Sequence, residues 1–404
     1  MALEIGVYNA GVRMLGVMAL IPFLFVEVGI HFSWLGVFPM ARNLMSLTGP
    51  IGAAWGGALE RKLGYCIRWG IAHRLPFILI PVSILFFFDR PDILLSVLFL
   101  AWVLAHLAQG FSESIKHTMM SHSVNEEWLG RLFGFRNVAM AVFGVMASGV
   151  IWFVGQRYDG QDNYIVLSWI GVACILGSLL IFGQIKETPM DPVEPKPKRR
   201  RMDVWRDAYA TWKSDPRIHW MVYGRWARCT GMFINTYAIV VFMQRCDLTT
   251  EDMWLPVLLI TLSEILSFGF TGWLVDKWGA RQSMIGSGVV MAFNAFLIMQ
   301  LETIWGFALL FPLLTLAQGM MRNAWPTMVL KMTTVEKRPQ YHATINLAVL
   351  PGMYTAFISG ILLVRFTEFD IVFYCTLVGS LLGSLCFMIG LPKAAAEDAE
   401  NTSA

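Results

Sequence analysis

Long apolar runs broken by short polar punctuation dominate the chain. A helix crossing a hydrocarbon layer of about 30 Å needs about 20 apolar residues. Windows of that size predict twelve spans. The first six lie near 10–31, 34–59, 67–88, 92–118, 130–155 and 164–184. The second six lie near 217–243, 252–275, 282–300, 303–331, 339–364 and 368–391. The breaks between them are mostly a few residues long, so neighbours run antiparallel. The long break is 185–216, where Pro189, Pro192, Pro195 and Pro197 precede a basic run from Lys198 to Arg201. Proline and charge together predict an extended, solvated linker. The expected organisation is therefore a bundle over 1–184, a basic Pro-rich linker over 185–216, a second bundle over 217–391 and a tail over 392–404.

Composition agrees with a membrane protein and removes several alternatives. Apolar residues make up 56% and charged residues 15%, with a mean hydropathy of +0.57. A soluble domain carries about 25% charged residues. A soluble enzyme, a disordered chain and a coiled coil are excluded on that ground. A net charge of +3 with no basic aromatic face gives no nucleic-acid partner. The six cysteines have neither disulfide nor zinc spacing, and no phosphate-binding loop is present, so neither a cofactor nor direct ATP drive is expected. The first apolar segment leads straight into a second, which predicts no cleavable signal. Lys and Arg concentrate on one side of the predicted spans: Arg61, Lys62, Arg68, Lys116, Arg131, the linker run, Lys277, Arg281, Lys331, Lys337 and Arg338. The positive-inside bias makes that side cytoplasmic, with both termini there. The expected location is a bacterial inner membrane, and the expected state a monomer.

The two halves repeat each other. Leu107-Ala-Gln109-Gly110 recurs as Leu316-Ala-Gln318-Gly319, and at the same separation Met119 falls on Met328 and Asn137 on Asn346. Between the second and third spans of each half, Gly57, Leu59, Lys62 and Gly64 align with Gly272, Leu274, Lys277 and Gly279, while Arg13 and Gly16 align with Arg228 and Gly231. Parallel duplication about an axis along the membrane normal is one of the known transporter plans.

With these motifs the chain resembles the major facilitator superfamily. The family's loop after span two reads Gly-x-x-x-Asp-Arg/Lys-x-Gly-Arg-Arg/Lys, and Gly272, Asp276, Lys277, Gly279 and Arg281 match it. The first copy keeps Gly57, Lys62 and Gly64 but places Arg61 where the Asp belongs. The family's span-four motif Arg-x-x-Gln-Gly appears as His106-Leu-Ala-Gln109-Gly110, and 127–137 resembles its segment after span four. The Gly-Pro motif of drug–proton antiporters and the sugar-porter signatures are missing. The resemblance implies twelve transmembrane helices in two pseudo-symmetric six-helix bundles, an all-α integral membrane fold. It also implies alternating access for a small solute, with no enzymatic step.

Polar side chains inside the spans form the functional shortlist, because a charge at the bilayer centre costs about 2.5–3.5 kcal/mol on insertion scales. Glu264 sits near the middle of span eight on a stripe with Thr261, Ser267 and Thr271. It reads either as a proton carrier or as a structural carboxylate paired to the next helix. His106, Gln109, Glu113 and Lys116 share one face of span four. That face reads as a cavity lining or as internal packing, with Glu113 and Lys116 satisfying each other. Arg42 and Asn43 lie deep in span two, to clamp an anionic group or to pair Arg42 with Glu27. Arg225, Arg228, Arg322 and Asn323 read as structural, through snorkelling or pairing near Asp276. The expected partners are a small polar or zwitterionic solute, protons and the lipid bilayer. The rivals are a lipid flippase and a non-transporting assembly factor on the same fold.

Overall fold

The computed structural model describes residues 2–16, 19–57, 59–123, 126–185, 187, 201–332, 338–366 and 368–391. The proline run, the basic residues Lys196 to Arg200, Lys337 and the tail 392–404 lie outside the described residues.

All regular structure among the described residues is helical. Span 1 is Ala2–Leu15 with Leu20–Glu27, and span 2 is Val37–Asn43 with Met45–Gly57. Span 3 joins Leu63–Arg74 to Leu79–Phe87 through a 3-10 turn. Spans 4, 5 and 6 are Pro91–Ser123, Glu126–Gly155 and Gly160–Phe182. Span 7 is Pro216–Cys229 with Gly231–Arg245, and spans 8, 9 and 10 are Trp254–Trp278, Ala280–Ile298 and Ile304–Lys331. Span 11 is Arg338–Met353 with Thr355–Phe366, and span 12 is Phe369–Gly390. Nine of these passages are long and apolar enough to cross a bilayer by themselves. Spans 2, 7 and 9 complete the twelve; the first two are broken helices, which membranes tolerate when neighbours satisfy the freed backbone.

Two boundaries differ from the sequence expectation. Span 1 begins at Ala2 rather than near residue 10, because Glu4 is buried and paired instead of marking an aqueous flank. The second half of the 185–216 segment is not extended. Arg201–Ser214 is a helix that packs on spans 7 and 11. Thr211 is buried, and Trp212 sits on a core that includes Ile218, Met332 and Ile345. Tyr209 stays exposed, so the helix is seated by its last turn, at Thr211 and Trp212.

The chain forms two compact units. Unit 1 is Met1–Lys196 with Ile239–Leu262, and unit 2 is Pro197–Ala238 with Ser263–Ala404. In unit 1, span 1 packs against spans 5 and 6, and spans 2 and 3 against span 4. In unit 2 the first helix of span 7 packs against spans 11 and 12, and span 9 against span 10. This is the same pattern, one repeat later. Both crossings use glycines in contact. A Cβ on Gly11 would stand 2.4 Å from the Gly171 carbonyl oxygen, and one on Gly383 would stand 2.8 Å from that of Gly224. Small residues let membrane helices approach where no hydrophobic drive separates helix from lipid.

A carboxylate latch fastens the linker helix to unit 2. Asp215 caps span 7 by accepting from the Arg217 backbone N–H (2.9 Å), and its carboxylate takes both Nε and Nη2 of Arg217. The Tyr341 hydroxyl donates to it at 3.0 Å, and Arg217 also donates to the Met332 carbonyl. Burial by itself pushes the Asp215 carboxyl up, but the hydrogen bonds and charge of Arg217, with Tyr341, outweigh it and hold the group below the usual carboxylate range. The latch is therefore fully stabilising above the ordinary aspartate pKa of about 4, and its contribution is lost as pH falls through the lower folded value. Arg217 is over a third exposed, so water screens the pair. Asp215→Asn should cost about 1 kcal/mol at neutral pH, read as a lower unfolding midpoint in micelles. The gap from the parent should close in acid.

Candidate functional site

The polar interior of unit 1 is built from spans 1, 3, 4, 5 and 6. Glu4 is 1% exposed, and its Oε1 accepts from Arg74 Nη2 at 2.9 Å and from Lys116 Nζ at 3.1 Å. Arg74, 6% exposed, also donates through Nε to Ser178 Oγ at 3.1 Å and stands 5.1 Å from the Tyr8 ring centre. One carboxylate thus ties spans 1, 3 and 4 together, and Arg74 adds span 6. A cavity of about 70 Å³ opens beside this group, room for a few waters at about 10–15 Å³ each. Tyr8, His73, Arg74, Gln109, Glu113, Lys116 and Arg136 supply its polar wall.

Hydrogen bonding fixes the state of two histidines. His73 Nδ1 lies 2.8 Å from the Ala105 carbonyl, an acceptor only, so Nδ1 carries the proton. Neutral His73 then accepts at Nε2 from the Tyr8 hydroxyl at 2.7 Å. His106, 7% exposed, donates from Nδ1 to Gln109 Oε1 at 2.9 Å, and its buried Nε2 has no hydrogen-bond partner among the described residues. A proton there would create an unmet buried N–H, so neutral His106 fits this state. Gln109 Nε2 points on towards Glu113 Oε2 at 3.5 Å. His106, Gln109 and Glu113 of the span-four face therefore form one partly buried hydrogen-bonded chain. Lys116 turns to Glu4 rather than resting on Glu113 alone.

Arg42 is exposed on the first helix of span 2, and its charge acts on Tyr8 and His106. Asn43 beside it is half-buried. Glu27 is exposed at the end of span 1, and among the described residues it makes no ion pair with Arg42.

The span-eight stripe is divided. Thr261 belongs to unit 1 and accepts from Arg13 Nη1 at 2.7 Å. Glu264, in unit 2, is half-buried. Ser267 hydrogen-bonds Thr315 at 2.7 Å, and Thr271 accepts from Asn323 Nδ2 at 3.1 Å, which fastens span 8 to span 10. Gln318, the repeat partner of Gln109, donates to Asn235 of span 7 at 2.7 Å. Arg228 is 7% exposed instead of snorkelling, and its Nη2 reaches Ser287 Oγ at 3.3 Å. Arg13 and Arg228 each occupy the last turn before their span breaks.

The two loop motifs differ in how they are fastened. In the first, Arg61 is exposed, Lys62 is 2% exposed, and Lys62 Nζ donates to the Leu59 carbonyl. Glu187 caps the start of span 3 by accepting from the backbone N–H groups of Lys62 and Leu63. A carboxylate is stabilised at a helix N-terminus, so Glu187 supplies the acid that Arg61 displaces. Gly57 ends span 2, and Gly64 has open space around it. In the second motif Asp276 is exposed and makes no hydrogen bond or ion pair among the described residues. Lys277 lies over the Trp273 ring at 4.8 Å, Gly272 has open space, and Gly279 takes φ +84°, which favours glycine. Arg281 donates to the Met388 carbonyl in the last turn of span 12.

Glu4, Tyr8, His73, Arg74, Arg136 and Glu187 are absent from the sequence shortlist. His73 and Arg74 stand inside the 67–88 window, where a charge in an apolar run is itself the signal. Glu4 and Tyr8 fall four residues apart, one face of a helix, but ahead of the predicted start. Arg136 lies inside 127–137, the segment read there only for its likeness to the family's stretch after span four. Nothing in the sequence pairs Glu187 with residues 62 and 63.

Residues 254–404 match the family model described as Major Facilitator Superfamily. No curated protein sequence matches the chain. Among solved structures, the chain is similar to a mutant of the nucleoside transporter NupG, with TM-score 0.73, 12% identity, and 97% of this chain and 99% of that one covered. It is also similar to a D-xylose–proton symporter (TM-score 0.69, 15% identity, 97% of each chain). A bacterial homologue of the iron transporter ferroportin in an inward-facing state gives TM-score 0.66 and 14% identity over 96% of this chain and 97% of that one. At these identities the likeness shows the fold.

The Glu4 bridge makes a direct prediction. Removing one partner of a buried ion pair costs about 3–5 kcal/mol, because the other charge stays buried and unmatched. Glu4→Gln should lower the unfolding midpoint in micelles strongly. Arg74→Met alone should be milder, since Lys116 still answers Glu4. The double variant should recover part of the Glu4→Gln loss; additive losses in this cycle would mean the two side chains are not coupled.

Proposed function

We propose that the chain is a transporter of the major facilitator superfamily, whose model its residues 254–404 match, and that it is a secondary active transporter of a small polar solute, working by alternating access and coupled to protons. The observation that carries this reading is the titratable network inside an apolar bundle. His106, Gln109 and Glu113 lie on one hydrogen-bonded face, and Glu113 borders a cavity. Such groups are costly in lipid and mark solute and proton pathways. Glu264 is the matching carboxylate of the second half, placed near the middle of span 8.

In this reading the chain works by alternating access, its halves are 1–184 and 217–391, and the loop motifs at Gly57–Gly64 and Gly272–Arg281 set the cytoplasmic gate. Arg42 and Asn43 orient polar groups of the solute. Glu113, Glu264 or His106 takes up a proton when its side of the cycle opens. The one-sided Lys and Arg distribution supports cytoplasmic termini. A bacterial inner membrane and a monomer complete the reading. A solute panel starts with nucleosides and pentoses, the cargoes named for two of the structural neighbours.

The test uses proteoliposomes with an imposed pH difference. The parent protein should accumulate a transported solute against its gradient. Glu264→Gln keeps the side-chain shape and removes the charge change. This variant should lose proton-driven accumulation and retain solute exchange. A double variant, Glu264→Gln with His106→Gln, that still accumulates solute as the parent does would overturn the assignment of both groups.

A further inference from the structure

The second half holds a pair of amides that its own packing does not use up. Asn235 lies ten residues before Arg245, about 15 Å along the helix at 1.5 Å per residue, and Gln318 sits near the middle of Ile304–Lys331. Every residue from Phe233 to Met243 is buried except Asn235, which is exposed. Between Leu310 and Met321 of span 10 no residue is exposed, and Gln318 is half-buried. A lipid-facing helix looks different: span 12 exposes Tyr374, Val378, Leu381, Leu385 and Met388, large side chains at three- and four-residue steps. Asn235 is thus a single polar opening in a stretch otherwise covered by protein, and a polar group at that depth faces a wet space rather than hydrocarbon. Gln318 Nε2 donates to Asn235 Oδ1 at 2.7 Å. That bond leaves the Asn235 Nδ2 donors and the Gln318 Oε1 acceptor without a hydrogen-bond partner among the described residues. The repeat explains why. Gln109, the counterpart of Gln318, is occupied at both ends, by His106 and Glu113. In the second half those positions hold Thr315 and Arg322, and Thr315 is turned to Ser267 of span 8.

We infer that Asn235 and Gln318 hold an uncharged hydrogen-bonding edge of the solute, one that presents an acceptor beside a donor. The vicinal hydroxyls of a sugar and the imide edge of a pyrimidine base share that chemistry. Two joined amides carry a donor and an acceptor next to each other with no net charge, so they match such an edge and give no Coulombic advantage to an ion. Their mutual hydrogen bond already orders both side chains, so little rotamer freedom is left to lose when the solute arrives. A site of this kind rejects an analogue that lacks one of the groups, because its own polar atoms then go unmet. The inference rests on reading the chain as a solute transporter, and it adds to that reading a contact on spans 7 and 10. The competing role for the pair is structural, tying span 7 to span 10 with no part in binding.

The experiment is equilibrium binding of radiolabelled solutes to the purified full chain in a non-ionic detergent at one pH. Uridine is compared with N3-methyluridine, and xylose with 2-deoxyxylose; each analogue lacks one hydrogen-bonding group of the edge. Uridine should bind if the site takes a base and xylose if it takes a sugar. The analogue of the solute that binds should be about tenfold weaker, the effect of one lost hydrogen bond. Gln318→Leu should weaken the solute about tenfold and its analogue little, so that the two bind alike. Asn235→Ala should weaken both. Variants that lower the unfolding midpoint yet keep the tenfold preference would overturn the site and leave the pair a structural tie. Analogues that bind the parent protein as well as their solutes do, or binding of neither uridine nor xylose, would overturn it too. No pH difference is needed, so a loss of proton coupling leaves this result standing. A solute that moves with protons but binds both variants as it binds the parent would strike this inference alone.

Discussion

A bundle that spans lipid has no water with which to solvate a buried charge, and the first half of this protein meets that constraint with one carboxylate. Glu4 answers Arg74 and Lys116 together. Without it, spans 3 and 4 would each carry an uncompensated cation into an apolar interior. With it, the first helix starts at Ala2, lies against spans 5 and 6, and presents Tyr8 to His73. The cavity, the neutral histidine and the span-four face all take their places from that bridge. Because the pairing is buried, salt in the medium screens it little.

The duplicated halves solve the same packing problem with different chemistry. Both break their first span one turn after a buried arginine, and both bring glycines into contact where that span crosses the sixth of its half. The first half then fills its interior with charges. The second joins its helices mainly through neutral groups, with Ser267 on Thr315, Thr271 on Asn323, Gln318 on Asn235, and Thr376 on the Thr230 carbonyl. Neutral interhelical hydrogen bonds contribute about 1 kcal/mol each in membranes, so no single one of them governs the half as Glu4 does. This division puts most of the buried ionisable groups in the first half.

Span number, order and repeat were legible because lipid forces a length and a composition on every crossing. Span 9 was found by hydropathy although its interior holds Ser283, Ser287 and Asn294, all buried. What sequence could not show is which polar groups meet. A window rule that treats Glu4 as an aqueous boundary cannot see that Arg74, seventy residues on, makes burial tolerable. Charge and proline counting read 201–214 as solvated, whereas Trp212 and Thr211 turn inward. The displaced acid of the first loop motif is supplied by Glu187, a partner 124 residues from Leu63, and only the fold brings them together. On the shortlist, His106, Gln109 and Glu113 share one network, while Glu27 and Arg42 stand exposed and apart from each other.

In the proposed cycle, solute movement and proton movement are coupled through the ionisable groups of the bundle. The direct measurement is proton flux without any imposed pH difference. Proteoliposomes are loaded with a pH-sensitive dye, and a transported solute is added outside at equal pH on both sides. A coupled cycle gives a solute-dependent pH change in the lumen at a fixed ratio to solute moved, abolished by a protonophore. Solute uptake at full rate with no pH change in the lumen would contradict it.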